Sequence, residues 1–90
     1  MGFIAGNPKE LARNIAEGYV ILSVVSLRKY SNNDIRDLYR NLMIVQREIR
    51  QEQYEIDDID NIKKKHMRLQ RLFRGVTTIT TYAKPRKIPL

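Results

Sequence analysis

The chain has no cysteine, no tryptophan and a single histidine, His66, among its 90 residues. Without cysteine, disulfide scaffolds and thiolate metal sites are excluded. With one histidine and no cysteine, neither a Cys/His catalytic pair nor a multi-histidine metal site fits within one chain. The four glycines are scattered and match no phosphate-binding loop. The sequence therefore predicts a non-enzymatic protein with no cofactor and no metal.

Long apolar runs are also missing. The longest run, residues 19–27, spans nine residues and includes Ser23 and Ser26. A helix that crosses a bilayer needs about 20 predominantly apolar residues. Pro8, Lys9 and Glu10 interrupt the start of the chain, where a secretory signal would need an apolar segment. We therefore expect no membrane span and a cytoplasmic location.

Acidic residues are absent from the last third of the chain. Residues 61–90 contain nine lysines and arginines and no carboxylate, whereas residues 34–60 contain eight carboxylates and four arginines. The chain as a whole has a formal net charge of +7. Such a bias along a whole segment is typical of proteins that contact an anionic surface.

The first predicted helix begins at Asn7 and Pro8. Asn caps free amide groups, proline is accepted at the first helical position, and Glu10 completes an arrangement that resembles a capping box. Apolar residues at steps of three and four continue the pattern to Leu27. Because the segment after Gly18 is rich in β-branched residues, a short helix followed by a strand over 19–25 is the alternative.

The second predicted helix follows the cap-forming residues 31–34 and has the strongest periodicity in the chain. Its apolar residues form a coiled-coil-like seam, which is typical of a bundle core and equally of a dimer interface. Low helix propensity at 57–61 predicts a turn, although one continuous helix over 34–74 is also possible. The seam residues are Ile35, Leu38, Leu42, Val45, Ile49 and Ile56.

The third predicted helix ends at Gly75, where a C-terminal cap belongs. Residues 76–82 are rich in threonine and other β-branched residues and predict a strand. That strand needs a partner, such as residues 3–5, the segment 19–25, a second copy or another protein. The two prolines at 85 and 89 predict an extended basic tail over 84–90.

These elements predict a mainly α protein. We expect a hairpin or bundle of two or three helices with coiled-coil-like packing, followed by one C-terminal β-strand and an extended basic tail. The alternative is a small α+β fold with strands near 19–25 and 76–82. The corresponding division is a helical domain over 1–75 and a strand plus basic tail over 76–90. A core this small favours a homo-oligomer.

The function predicted first is that of a non-enzymatic, nucleic-acid-associated accessory protein. Its cations would hold the phosphate backbone of DNA or RNA, or another acidic macromolecule, with little sequence preference. Pairing of residues 63–68 with Glu48, Glu52 and Glu55 would neutralise part of this charge. The predicted contacts are Lys64, Lys65, Arg68, Arg71, Arg74, Tyr82, Lys84, Arg86 and Lys87.

The alternative function is that of a helical assembly or adaptor subunit. It would bind a protein partner through the 35–59 seam and through strand addition at 76–82. The interface would then comprise the seam residues together with Val76, Thr78 and Thr80.

Overall fold

The computed structural model describes residues 7–90 and is mainly helical, with no strand in that range. Helices α1, α3 and α4 pack against one another as a bundle, and the short α2 packs against α4. No helix among residues 7–90 is both long and apolar enough to cross a membrane. The residues 3–5, one candidate strand partner, lie outside the described range. The helices are α1 (Pro8–Ala16), α2 (Val24–Leu27), α3 (Asn32–Arg50) and α4 (Ile59–Arg86).

Helix α1 begins as predicted, because the Asn7 side chain accepts a hydrogen bond of 2.7 Å from the amide of Glu10. It ends at Ala16, well before Leu27, and Gly18 then adopts a left-handed conformation with φ of +85°. The long first helix is therefore wrong, and the short helix of the alternative is confirmed. The strand that the alternative placed over 19–25 is wrong, because α2 begins at Val24 and no strand lies within residues 7–90. The physical reason is the turn at Gly18, a conformation that glycine adopts without steric cost.

Helix α3 also begins as predicted. The Ser31 hydroxyl and the Asp34 carboxylate each accept a hydrogen bond from the other residue's amide and form a capping box. The helix ends at Arg50, and α4 starts after Asp58, whose side chain accepts from the amide of Asn61. The predicted turn is therefore confirmed, although it is longer and begins earlier than expected, and a continuous helix over 34–74 is wrong.

The predicted strand over 76–82 is wrong, because α4 continues through these residues to Arg86. Leu72, Ile79 and Ala83 are buried at helical spacing, so their burial outweighs the β propensity of the neighbouring threonines. The Thr78 hydroxyl donates to the main-chain oxygen of Arg74 at 3.0 Å, one helical turn earlier, as threonine does within helices. One helix thus spans the predicted domain boundary at residue 75.

Gly75 lies inside α4 and is buried against the rest of the bundle. A Cβ atom built on it would lie 3.5 Å from Ile15 Cγ2 and 3.7 Å from both Leu22 Cδ1 and Leu42 Cδ1, which are ordinary contact distances. Its φ is not positive, so this glycine does not end the helix. An alanine would therefore fit here without displacing α1 or α3.

The C-terminal residues are helical and folded back, which corrects the prediction of an extended tail from residue 84. Pro85 is exposed in the last turn of α4, where the missing amide costs one hydrogen bond. Lys87 adopts a left-handed conformation with φ of 55°, and the amide of Ile88 donates to the oxygen of Ala83 at 3.1 Å. This Schellman-type ending buries Ile88 against the core.

The two glycines at 75 and 18 give opposite predictions for the same substitution. Gly75→Ala is expected to raise the free energy of unfolding by about 0.5–1 kcal/mol, because alanine favours a helix interior. Gly18→Ala is expected to lower the free energy of unfolding by about 1 kcal/mol or more. Alanine would have to adopt the left-handed φ of residue 18, and its Cβ would lie 3.1 Å from Arg71 Cζ. Urea denaturation measures both, and destabilisation by Gly75→Ala would contradict a helix through residue 75.

Candidate nucleic-acid interface

The basic stripe predicted on α4 divides into two groups. Lys65, Arg68 and Arg71 turn toward the bundle and are partly buried, whereas Lys64 and Arg74 are exposed. The five cations step around more than one side of the helix, so they do not form one solvent-facing row. Of the five, only the side chains of Lys64 and Arg74 form no hydrogen bond or ion pair within the described residues.

Lys65 and Arg71 bind main-chain carbonyl groups at the ends of other helices. Lys65 Nζ donates to the oxygens of Arg50 at 3.2 Å and Glu52 at 2.6 Å, where α3 ends. Arg71 Nη1 donates to the oxygen of Ala16 at 3.1 Å, at the last residue of α1. The last carbonyls of a helix lack partners within it, and a cation is favourable there. Both side chains therefore hold the ends of α3 and α1 against α4.

Arg68 forms a two-pronged ion pair with Glu52. Its Nη2 and Nη1 atoms lie 2.7 and 3.3 Å from the two carboxylate oxygens. Burial alone would raise the pKa of the Glu52 carboxyl, but hydrogen bonds from Tyr54 and Arg68 outweigh it and hold that pKa below its usual value. The hydrogen bond to Glu52 raises the pKa of Arg68 in turn. This pair fixes the loop between α3 and α4.

Of the expected pairing between residues 63–68 and three glutamates, the structure forms only the Arg68–Glu52 pair among the described residues. Glu48 instead accepts from Lys9 of α1 at 2.8 Å and lies 3.7 Å from Arg13. The hydrogen bond from Lys9 lowers the pKa of the Glu48 carboxyl. Glu48 therefore serves the contact with α1, whereas Asp37 lies 3.9 Å from Arg40 of its own helix.

The predicted contacts near the C-terminus lie in or just after the last turns of α4. Tyr82 is 7% exposed, and the Arg86 guanidinium carbon lies 3.9 Å from the centre of its ring. Arg86 Nη1 also donates to the main-chain oxygen of Tyr82 at 3.0 Å. Tyr82 is thus a core residue whose ring is already covered, whereas Lys84, Arg86 and Lys87 are exposed.

The predicted interface residues lie mostly inside the bundle. Ile56 is 93% exposed in the loop before α4, Val76 and Thr78 are half-buried, and Thr80 is exposed on α4. The seam thus packs within the chain's own core, which agrees with its interpretation as a bundle core rather than as a dimer interface. The buried seam residues are Ile35, Leu38, Leu42, Val45 and Ile49.

An open groove of about 620 Å³ runs between α3 and α4 on the outside of the bundle. Its wall includes the cations Arg50 and Arg74 and an aromatic ring, Phe73, which is 65% exposed. No carboxylate is among its lining residues in the described chain. The remaining lining residues are Gln46, His66, Leu69, Gln70 and Thr77.

A row of arginines on α3 continues from this groove. Arg36, Arg40, Arg47 and Arg50 are separated by four, seven and three residues, which places them on one side of the helix. Three of them are exposed and Arg36 is half-buried. Sequence reasoning missed the row because it summed the charge of residues 34–60, where carboxylates outnumber arginines. Their spacing was the available signal.

The arrangement is suited to binding anions. Within residues 7–90 no three His, Asp or Glu side chains cluster as a metal site, and the single histidine, His66, is exposed in the groove. Guanidinium groups and amides line the groove, and these recognise phosphates and polar edges. No family model, curated protein or solved structure matches this chain.

The ion pair between Arg68 and Glu52 predicts a pH-dependent loss of stability. Because the folded pKa of Glu52 is lowered, its contribution is complete above the unfolded pKa of about 4.3 and is lost as pH falls through the folded value. Glu52→Gln should therefore cost about 1 kcal/mol at pH 7, and the difference from wild type should shrink below about pH 4. Urea denaturation across pH measures this.

The matched control is Glu55→Gln, which removes an exposed carboxylate that forms no ion pair within the described residues. It should change the free energy of unfolding by less than about 0.5 kcal/mol at either pH. Equal effects of the two substitutions would contradict a stabilising role for the Glu52 pair.

Proposed function

We propose that this protein is a non-enzymatic, nucleic-acid-associated accessory protein that holds phosphate backbone along the groove between α3 and α4. The observation that carries the proposal is the basic wall of that groove, with Arg50 on one helix and Arg74 on the other. The arginine row of α3 extends the same charge along the bundle. Lys64 and the exposed C-terminal cations, Lys84 and Lys87 among them, add to the field around it.

The chain's charge balance supports this proposal. All 17 lysines and arginines lie within residues 7–90, and ion pairs among these residues involve four of them, Lys9, Arg13, Arg40 and Arg68. Three of the ten carboxylates, Asp37, Glu48 and Glu52, take part in these pairs, and the formal net charge of the chain is +7. An excess of this size favours anionic polymers, because each phosphate that is neutralised releases condensed counterions.

The separation of charge on α3 makes the groove a better candidate than the protein surface in general. Glu48 faces α1, where it pairs with Lys9, and Asp34 is buried in the helix cap. Arg47 and Arg50 are exposed on the outer side. The third carboxylate of α3, Asp37, lies 3.9 Å from Arg40 nearer the start of the helix. A ligand at Arg47 and Arg50 would therefore meet cations with little opposing charge. Without a motif that reads base edges, binding should have little sequence preference.

Fluorescence anisotropy with labelled DNA and RNA tests the proposal. With about four phosphate contacts to duplex DNA, affinity should fall about 150-fold between ~50 and ~200 mM salt. The double substitution Arg50→Ala/Arg74→Ala should weaken binding about tenfold or more at low salt. It should also reduce the slope of log affinity against log salt by about two.

The matched control is Arg28→Ala/Lys29→Ala, which removes the same charge from exposed residues that do not line the groove. It should leave the affinity within about threefold of wild type, since only long-range attraction is lost. Absence of binding at ~50 mM salt would overturn the proposal. Equal effects of the two double substitutions would assign binding to overall charge rather than to the groove.

A second candidate function, self-association, is favoured by an exposed apolar patch between α1 and α2. Tyr19, Ile21 and Val25 are 78%, 77% and 67% exposed, and patches of this kind often mark interfaces. Beside them lies a pocket of about 190 Å³ between this connection and α4. Under a two-fold axis, a protruding side chain of one copy would meet the pocket of the other. The pocket's apolar lining includes Ile15, Val20, Leu22 and Gly75.

Light scattering behind size exclusion measures this association. Wild type is expected at about twice the chain mass of 10.7 kDa, and Ile21→Asp at the mass of one chain. The control Ile56→Asp places the same charge at a residue 93% exposed in another loop, and it should remain dimeric. A monomeric wild type at ~100 μM protein would contradict the dimer, as would a dimeric Ile21→Asp.

A further inference from the structure

Phe73 is one of the residues that line the groove, and it is 65% exposed. Arg74 is its neighbour in sequence, and Gln70 and Thr77 lie one helical turn to either side. Large aromatic side chains usually bury much of their surface, so an exposed ring between cations and amides is unusual for a side chain with a purely structural role. A flat π face flanked by guanidinium groups is the arrangement that binds unpaired bases.

Gln46 supplies a second, independent sign of a ligand in the same groove. Its side chain is only 7% exposed, yet the amide forms no hydrogen bond within the described chain. None of its polar atoms is completely shut off from solvent, and the residue lines the groove. A largely buried residue whose amide has no protein partner leaves that amide free to bind a polar ligand in the groove. It offers one acceptor and two donor hydrogens, which suit a base edge.

From these two residues we infer that the groove binds single-stranded nucleic acid, with one base stacked on Phe73 and its edge hydrogen-bonded by Gln46. The inference rests on the proposed function, because Arg50 and Arg74 hold the phosphates on either side of that base. A duplex keeps its bases stacked inside and offers nothing to an exposed ring on a helix. A polyanion without bases would meet the arginines alone. Single strands therefore gain contacts that neither alternative provides.

Anisotropy with three probes separates these ligands: labelled (dT)15, a 15-base-pair duplex of mixed sequence and, as competitor, inorganic polyphosphate. Phe73→Ala should weaken (dT)15 binding about five- to hundredfold and leave duplex binding unchanged. The matched control is Met67→Ala, which trims an exposed residue of α4 outside the groove and should leave all three affinities unchanged.

Because the chain contains no tryptophan, Phe73→Trp introduces a single indole as a reporter. Its fluorescence should be quenched when (dT)15 binds, since a stacked base lies against the ring, and (dT)15 affinity should be kept or increased. Duplex and polyphosphate should quench it little. Equal quenching by all three probes would overturn the stacking contact.

Gln46→Leu tests the amide separately. Removing an amide without a partner should keep or raise the melting temperature, because the side chain is already enclosed. It should nevertheless weaken (dT)15 binding about fivefold or more, with duplex binding unchanged. A purely structural role for Gln46 would instead lower stability and leave the affinity for (dT)15 unaltered.

The outcomes distinguish this inference from the function it rests on. If Arg50→Ala/Arg74→Ala weakens (dT)15 and duplex alike while Phe73→Ala changes neither, nucleic-acid binding stands and the single-strand inference is wrong. If neither probe binds wild type at ~50 mM salt, both are wrong. Tighter binding of (dT)15 than of duplex, lost in Phe73→Ala, supports the inference.

Discussion

The three-helix arrangement depends on cations of α4 that bind the ends of its neighbours. Lys65 and Arg71 donate to carbonyl groups where α3 and α1 stop, and Arg68 holds the loop between α3 and α4 through Glu52. Helix α1 has nine residues, too few to be stable alone in water, so its place on α4 must come from such contacts and from core burial. Because these inward-facing cations already bind groups of the bundle, they are not available to bind a ligand.

The charged side chains of α3 lie on different sides of the helix. On α3, Glu48 faces α1, Asp34 lies in the cap and Asp37 pairs with Arg40 of the same helix. Arg47 and Arg50 are exposed, and Arg50 lines the groove with α4. Five of the eight carboxylates of residues 34–60 lie after α3, so the helix itself has four arginines and three carboxylates. The same geometry leaves Phe73 and Gln46 in the groove without protein partners for the ring face or the amide. A ligand in this groove would give the ring of Phe73 a stacking partner and the amide of Gln46 a hydrogen-bond partner.

Local signals predicted the parts of the fold that local interactions control. The caps at Asn7 and Ser31 involve atoms three residues apart, and the seam from Ile35 to Ile49 follows the helical repeat. The strand over 76–82 failed because β propensity is weak beside burial of three side chains on one helical face. The groove could not be predicted, since it joins residues of two helices whose relative rotation is set by core packing.

The sequence by itself determined the helical composition, the start of α1 and of α3, the turn near 57–61 and the excess of positive charge, because each depends on neighbouring residues or on composition. Only the tertiary structure decided that α4 passes through Gly75, that Lys65, Arg68 and Arg71 serve the fold, and that Arg50 and Arg74 meet at one groove. Helix rotation and close packing fix these outcomes, and both are properties of the whole bundle rather than of any one segment.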